Sequence, residues 1–131
     1  MAMTKADSRC EFEAVVTHED TAEVVGSGDV GVLATPRLVA WFEAATVRVL
    51  AGRLDAGETS VGTRVEVDHL AASPVGARVA VVAELVEWDG RRVSFDVRAT
   101  ASDGTVLATG RVRRAIVNRE RFVARLGEAA G

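Results

Sequence analysis

Cysteine is almost missing from this chain of 131 residues, Cys10 being the only one. One thiol excludes an internal disulfide and any multi-cysteine metal site. Its place in a polar opening stretch, expected to be a frayed leader over residues 1–10, predicts an inert side chain, because reactive thiols need an electropositive setting. No apolar run approaches the length that crosses a bilayer, and the opening MAMTKADSRCEFEA lacks the apolar core of a secretory signal, so the expected location is the cytoplasm. A basic excess is also missing. The net charge of −3 speaks against broad nucleic-acid binding, which needs a concentrated basic face. There is no internal repeat, no low-complexity segment and no cluster of carboxylates and imidazoles at metal-ligand spacing.

What is present fits one α+β domain over residues 1–131. Glu11 to Val16 reads as a first strand, and Gly26 to Gly31 as a glycine-rich connection. The strongest helix follows, with Thr35 expected as N-cap and Pro36 as first helical residue. Leu38, Val39, Phe42, Ala45, Thr46, Val49 and Leu50 then recur at helical spacing until Gly52 and Gly57. From Gly62 to Val117 the chain reads as four strands in meander order, broken at Ser73-Pro74-Val75-Gly76, Asp89-Gly90 and Ser102-Asp103-Gly104. A short helix, Arg119 to Leu126, ends the pattern. One long helix with a strand before it and four after it has few compact solutions. The sheet must curl around the helix and bury its apolar stripe, the arrangement known as the hotdog fold. Such a sheet leaves an edge or face for a second copy, so a homodimer is expected, with pairing of dimers into tetramers left open.

Three positions invite chemistry. Glu43 lies near one edge of the helix's apolar stripe, close to Val39, Val47 and Leu50, with no basic residue three or four places away. It is either solvated just over that edge, or a carboxylate among aliphatic groups that needs a partner to offset desolvation. His69 alternates with Thr63, Val65, Val67 and Ala71, so its imidazole is expected on the helix side, as a satisfied core residue or as a functional one. Arg114 falls between Val112 and Ile116 on the apolar parity of the last strand. Either its stem carries the charge out to the rim, or the buried guanidinium has an anionic or carbonyl partner. Thr35 is explained by capping alone, and His18 sits in a polar loop.

The segments LATPRLVAWFEAATVRVL, DAGETSVGTRVEVDHLAASPVG and GRVRRAIVNRERF resemble the fluoroacetyl-CoA-specific thioesterase family of hotdog acyl-CoA hydrolases, over about Val15 to Leu126. The resemblance implies a catalytic group of Thr35, Glu43 and His69, which match in order at separations of 8 and 26 residues. It further implies substrate contacts from Gly62, Thr63 and Arg114, a small acyl-CoA substrate, coenzyme A as part of that substrate and no separate cofactor. Glu43 would attack the thioester carbonyl or activate water, and His69 would move protons. The family's phenylalanine-bearing lid corresponds here to Val25-Gly-Ser-Gly-Asp-Val-Gly-Val32, which has no aromatic residue, so no strong preference for the fluorinated substrate is expected. Arg91, Arg92, Arg98, Arg111 and Arg113 are the unranked candidates for the coenzyme A phosphates. Two other functions compete: a non-catalytic acyl-CoA binder, and a hydratase or dehydratase, for which the long helix lacks a histidine.

Overall fold

The structure, a computed structural model, describes residues 8–130, with side chains as far as Gly127. Its elements run β1 (Arg9–Val15), a 3-10 turn (His18–Asp20), α1 (Ala22–Val25), α2 (Thr35–Leu50), β2 (Glu58–His69), β3 (Arg78–Asp89), β4 (Arg92–Ala101), β5 (Val106–Asn118) and α3 (Arg119–Ala130). Of the leader expected over residues 1–10, the first seven lie outside the described residues. Arg9 and Cys10 belong to β1, where Cys10 packs half-buried against the core. His18 is exposed, as expected.

All five strands form one antiparallel sheet in the order β1-β3-β4-β5-β2. The expected four-strand meander is therefore corrected: β3, β4 and β5 are sequential neighbours, but β2 pairs with β5 at the far edge. The reason lies in the connection over residues 70–77, which is too long for a tight hairpin. It is pinned instead against the segment ahead of α2, where the Leu33 amide donates to the Ser73 carbonyl at 2.8 Å. By contrast, Asp89-Gly90 does make the hairpin between β3 and β4, with Gly90 at a φ of +62° that favours glycine.

The core lies between α2 and the concave face of the sheet. Leu38, Phe42, Ala45, Val49 and Leu50 form the buried stripe of α2. Alternate residues of the strands meet it: Val79, Val81 and Ala83 of β3, Val93, Phe95, Val97 and Ala99 of β4, Val112 and Ile116 of β5. The opposite face carries charges, among them the exposed pair Arg111–Asp96 at 3.1 Å, a contact worth little to stability. Because Phe42 is fully buried at the centre of this contact, Phe42→Ala is expected to lower the unfolding free energy by about 3–5 kcal/mol. Chemical denaturation measures this, and a loss below about 1 kcal/mol would contradict the packing described.

Candidate active site

Glu43 has its basic partner on the sheet. Arg114, on the concave side of β5 and only 7% exposed, donates from Nη1 to Glu43 Oε2 at 3.3 Å. Its Nε donates to the Ser60 hydroxyl at 2.9 Å, and its Nη2 to the Ser60 carbonyl at 3.2 Å. Arg114 therefore does not reach out to the rim. It is a buried cation with an anionic and two neutral acceptors, as a desolvated guanidinium requires. Burial lowers its pKa, while the charge and hydrogen bond of Glu43 act in the other direction. The guanidinium stays protonated at neutral pH.

Gly62 completes this group by being small. A Cβ built there would stand 2.5 Å from Glu43 Oε2, so any other side chain would displace the carboxylate or itself. Strict alternation along β2 would put Gly62 and His69 on opposite faces. A β-bulge between Gly62 and Arg64 changes that: Gly62 sits opposite Arg114, Val65 opposite Val112 and His69 opposite Ala108, all on the helix side. Thr63, expected on the same face as His69, is instead the extra residue of the bulge and is exposed. It borders a concavity of about 780 Å³ with Arg64, Arg92, Arg111 and Arg113, in which Glu87 and Asp89 offset part of the positive charge.

His69 meets the start of α2. Thr35 Oγ1 and His69 Nδ1 are 2.7 Å apart. Thr35 is the first residue of the helix and Ala34 takes the cap position without a side-chain bond, so the expected N-cap role of Thr35 is corrected: its hydroxyl is committed to the imidazole. Burial pushes the His69 pKa down, the Ala71 backbone working the other way, which favours the neutral ring. In the tautomer where Thr35 donates to Nδ1, the proton sits on Nε2. Among the described residues nothing pairs with that buried Nε2. A buried polar atom left open calls for an explanation, and a ligand group is one. Thr35 and His69 border a cavity of about 280 Å³ whose other walls include Ala22, Ser27, Val32 and Leu70.

The structure thus brings the expected residues together as two groups: Glu43, Gly62 and Arg114 in one, Thr35 and His69 in the other. No hydrogen bond joins Glu43 to His69. Glu43 stands eight positions after Thr35 on the same helix, about 12 Å of axial rise. Ser60 is the one member that sequence reasoning missed, since its helix-side position emerges only once the bulge is known. No group of three or more metal-ligating side chains occurs among the described residues, and no helix there is long and apolar enough to cross a membrane.

Comparison with known proteins agrees with this architecture. The family model described as fluoroacetyl-CoA-specific thioesterase, FlK, matches residues 16–120. A fluoroacetyl-CoA thioesterase of Streptantibioticus cattleyicolor is 42% identical over 96 residues, covering 72% of this chain and 68% of the relative. A variant of FlK crystallised in complex with fluoroacetate and CoA superposes with a TM-score of 0.81 at 34% identity, over 87% of this chain and 95% of that one. A thioesterase superfamily member from Thermus thermophilus gives 0.86 at 32% identity, over 93% and 90%. The match covers both groups of residues and every strand they stand on, and the chain belongs to the fluoroacetyl-CoA-specific thioesterase family, thioester hydrolases of hotdog fold.

Proposed function

We propose that this protein hydrolyses a small acyl-CoA to the free acid and coenzyme A, with Glu43 acting on the thioester carbonyl and His69 as its proton-transfer partner. The observation that carries this reading is the Glu43 carboxylate, anchored at Oε2 by a buried Arg114 beneath a glycine that leaves it space. The Arg114 contact is made through Oε2 and leaves Oε1 out of that bond. Glu43 adds to the carbonyl carbon, or takes a proton from the water that does. The carbon–sulfur bond breaks and the departing sulfur takes a proton to become the thiol of coenzyme A; on the water route the acyl group leaves at once as the acid, and on the direct route it stays as an anhydride on Glu43 until a water hydrolyses it, releasing the acid and restoring the carboxylate. A neutral His69, its Nδ1 held by Thr35, presents the free Nε2 position for charge that builds on the carbonyl oxygen or for the travelling proton. Gly62 lets the substrate pass close to the backbone. The cytoplasm is the compartment of this reading, in keeping with a lone, free Cys10.

The distance between the two groups supports a homodimer as the working unit. β2 is an edge strand, and its outer side offers unpaired backbone groups to a second copy. Antiparallel pairing of two β2 strands about a two-fold axis at Glu66 preserves the helix-side parity and sets the Gly62–Thr63 bulge opposite the partner subunit's His69. Glu43 of one chain and His69 of the other then face one substrate.

Subunit mixing tests this arrangement. Homodimers of Glu43→Gln and of His69→Ala are each expected to release less than about 1% of the wild-type thiol from acyl-CoA, the size of a lost acid–base group. Co-expressed heterodimers regain one intact site of two. Silence of the mixed dimer would overturn the two-chain site, wild-type turnover by Glu43→Gln would overturn the role of Glu43, and binding without thiol release by the unmodified protein would make it a binder.

Substrate choice follows from the wall of the cavity beside His69. The stretch from Val25 to Val32 contributes Ser27 and Val32 there and no aromatic ring. Without such apolar contacts, kcat/KM for fluoroacetyl-CoA is expected to stay within about tenfold of that for acetyl- and propionyl-CoA. A preference of a thousandfold in a side-by-side thiol-release assay would refute this.

A further inference from the structure

We infer that Ser60 is a positioning residue for the reaction: it fixes Arg114, and through Arg114 the orientation of the Glu43 carboxylate. This rests on the reading of Glu43 given above. The guanidinium is bound at three nitrogens, and two of these three bonds end on Ser60, one on its hydroxyl at 2.9 Å and one on its carbonyl at 3.2 Å. The third, to Glu43 Oε2 at 3.3 Å, is the longest. Arginine has a long stem with many rotamers, so a single long bond to a carboxylate would leave both groups free to swing. Ser60 removes that freedom from the sheet side. It stands on the same face of β2 as Gly62, two residues away, so one short stretch of strand supplies both the anchor and the clearance that the carboxylate needs. With Oε2 thus held, Oε1 is presented in one direction.

A serine that merely satisfied a buried cation would affect stability and leave turnover alone. A positioning serine affects kcat, because small displacements of a reacting group are expensive in rate. Ser60→Ala is therefore expected to lower kcat about tenfold to a hundredfold, with KM for acyl-CoA changed less than twofold, and Ser60→Thr, which keeps the hydroxyl, is expected to restore most of it. In an Arg114→Gln background, Ser60→Ala is expected to have no further effect on kcat, since residues acting through one contact are not additive. Calorimetry on each variant identifies those that fold; if Ser60→Ala does not, Ser60→Cys takes its place at similar volume.

Unchanged kcat in a folded Ser60→Ala or Ser60→Cys would overturn the inference. So would a rise in KM alone, or a full additional loss in the Arg114→Gln background. Glu43→Gln measured alongside separates the two levels. Full turnover there removes the reading of Glu43, whereas a dead Glu43→Gln beside a fully active Ser60→Ala removes only the role of Ser60.

Discussion

A cation buried where a helix meets a sheet must be paired, and the pairing of Arg114 governs the rest of this site. Leaving a fully buried ion without its partner costs about 3–5 kcal/mol. Glu43 keeps 36% of its side-chain surface, so the cost here is smaller, yet the direction is the same. From that constraint the neighbours follow. β5 has to present an arginine on its apolar parity, α2 has to carry a carboxylate at the edge of its stripe, and β2 has to pass with a glycine at the crossing point and a serine two residues earlier. Each of these residues is out of place for stability alone. Together they hold a carboxylate by one of its two oxygens.

The second group obeys a different economy. Thr35 gives up the ordinary use of a threonine at a helix start, and His69 keeps a buried nitrogen that has no partner among the described residues. The Thr35 bond orients the imidazole, and burial lowers its pKa and so favours the neutral ring. The core formed by Phe42, Phe95 and the valines of β3 and β4 contributes rigidity to both groups, since it fixes α2 against the sheet from which Arg114 projects.

Much of this was legible in the chain itself. The periodicity from Leu38 to Leu50 and the turn at Asp89-Gly90 mark their elements plainly, because local spacing and turn chemistry decide them. Arg114 and His69 stood out as polar groups on apolar parity. What could not be read is non-local. The pairing of β2 with β5, in place of β3, depends on how residues 70–77 pack against Leu33. The bulge at Gly62–Arg64 shifts parity by one and so takes Thr63 off the helix-side face and brings Ser60 onto it. Alternation counting has no means of finding an extra residue. Thr35 is ambiguous for a related reason: a helix cap and a hydrogen-bond partner for histidine look alike in sequence until the strand carrying the histidine is placed beside the helix.

The account turns on where a bound thioester lies relative to the carboxylate. A crystal structure of Glu43→Gln with an intact acyl-CoA is the direct measurement. The expected result has the thioester carbonyl carbon about 3–3.5 Å from the side-chain atom of residue 43 that is turned away from Arg114, or one water farther. A thioester seated elsewhere on the sheet, with the Arg114 group untouched and dry, would contradict it.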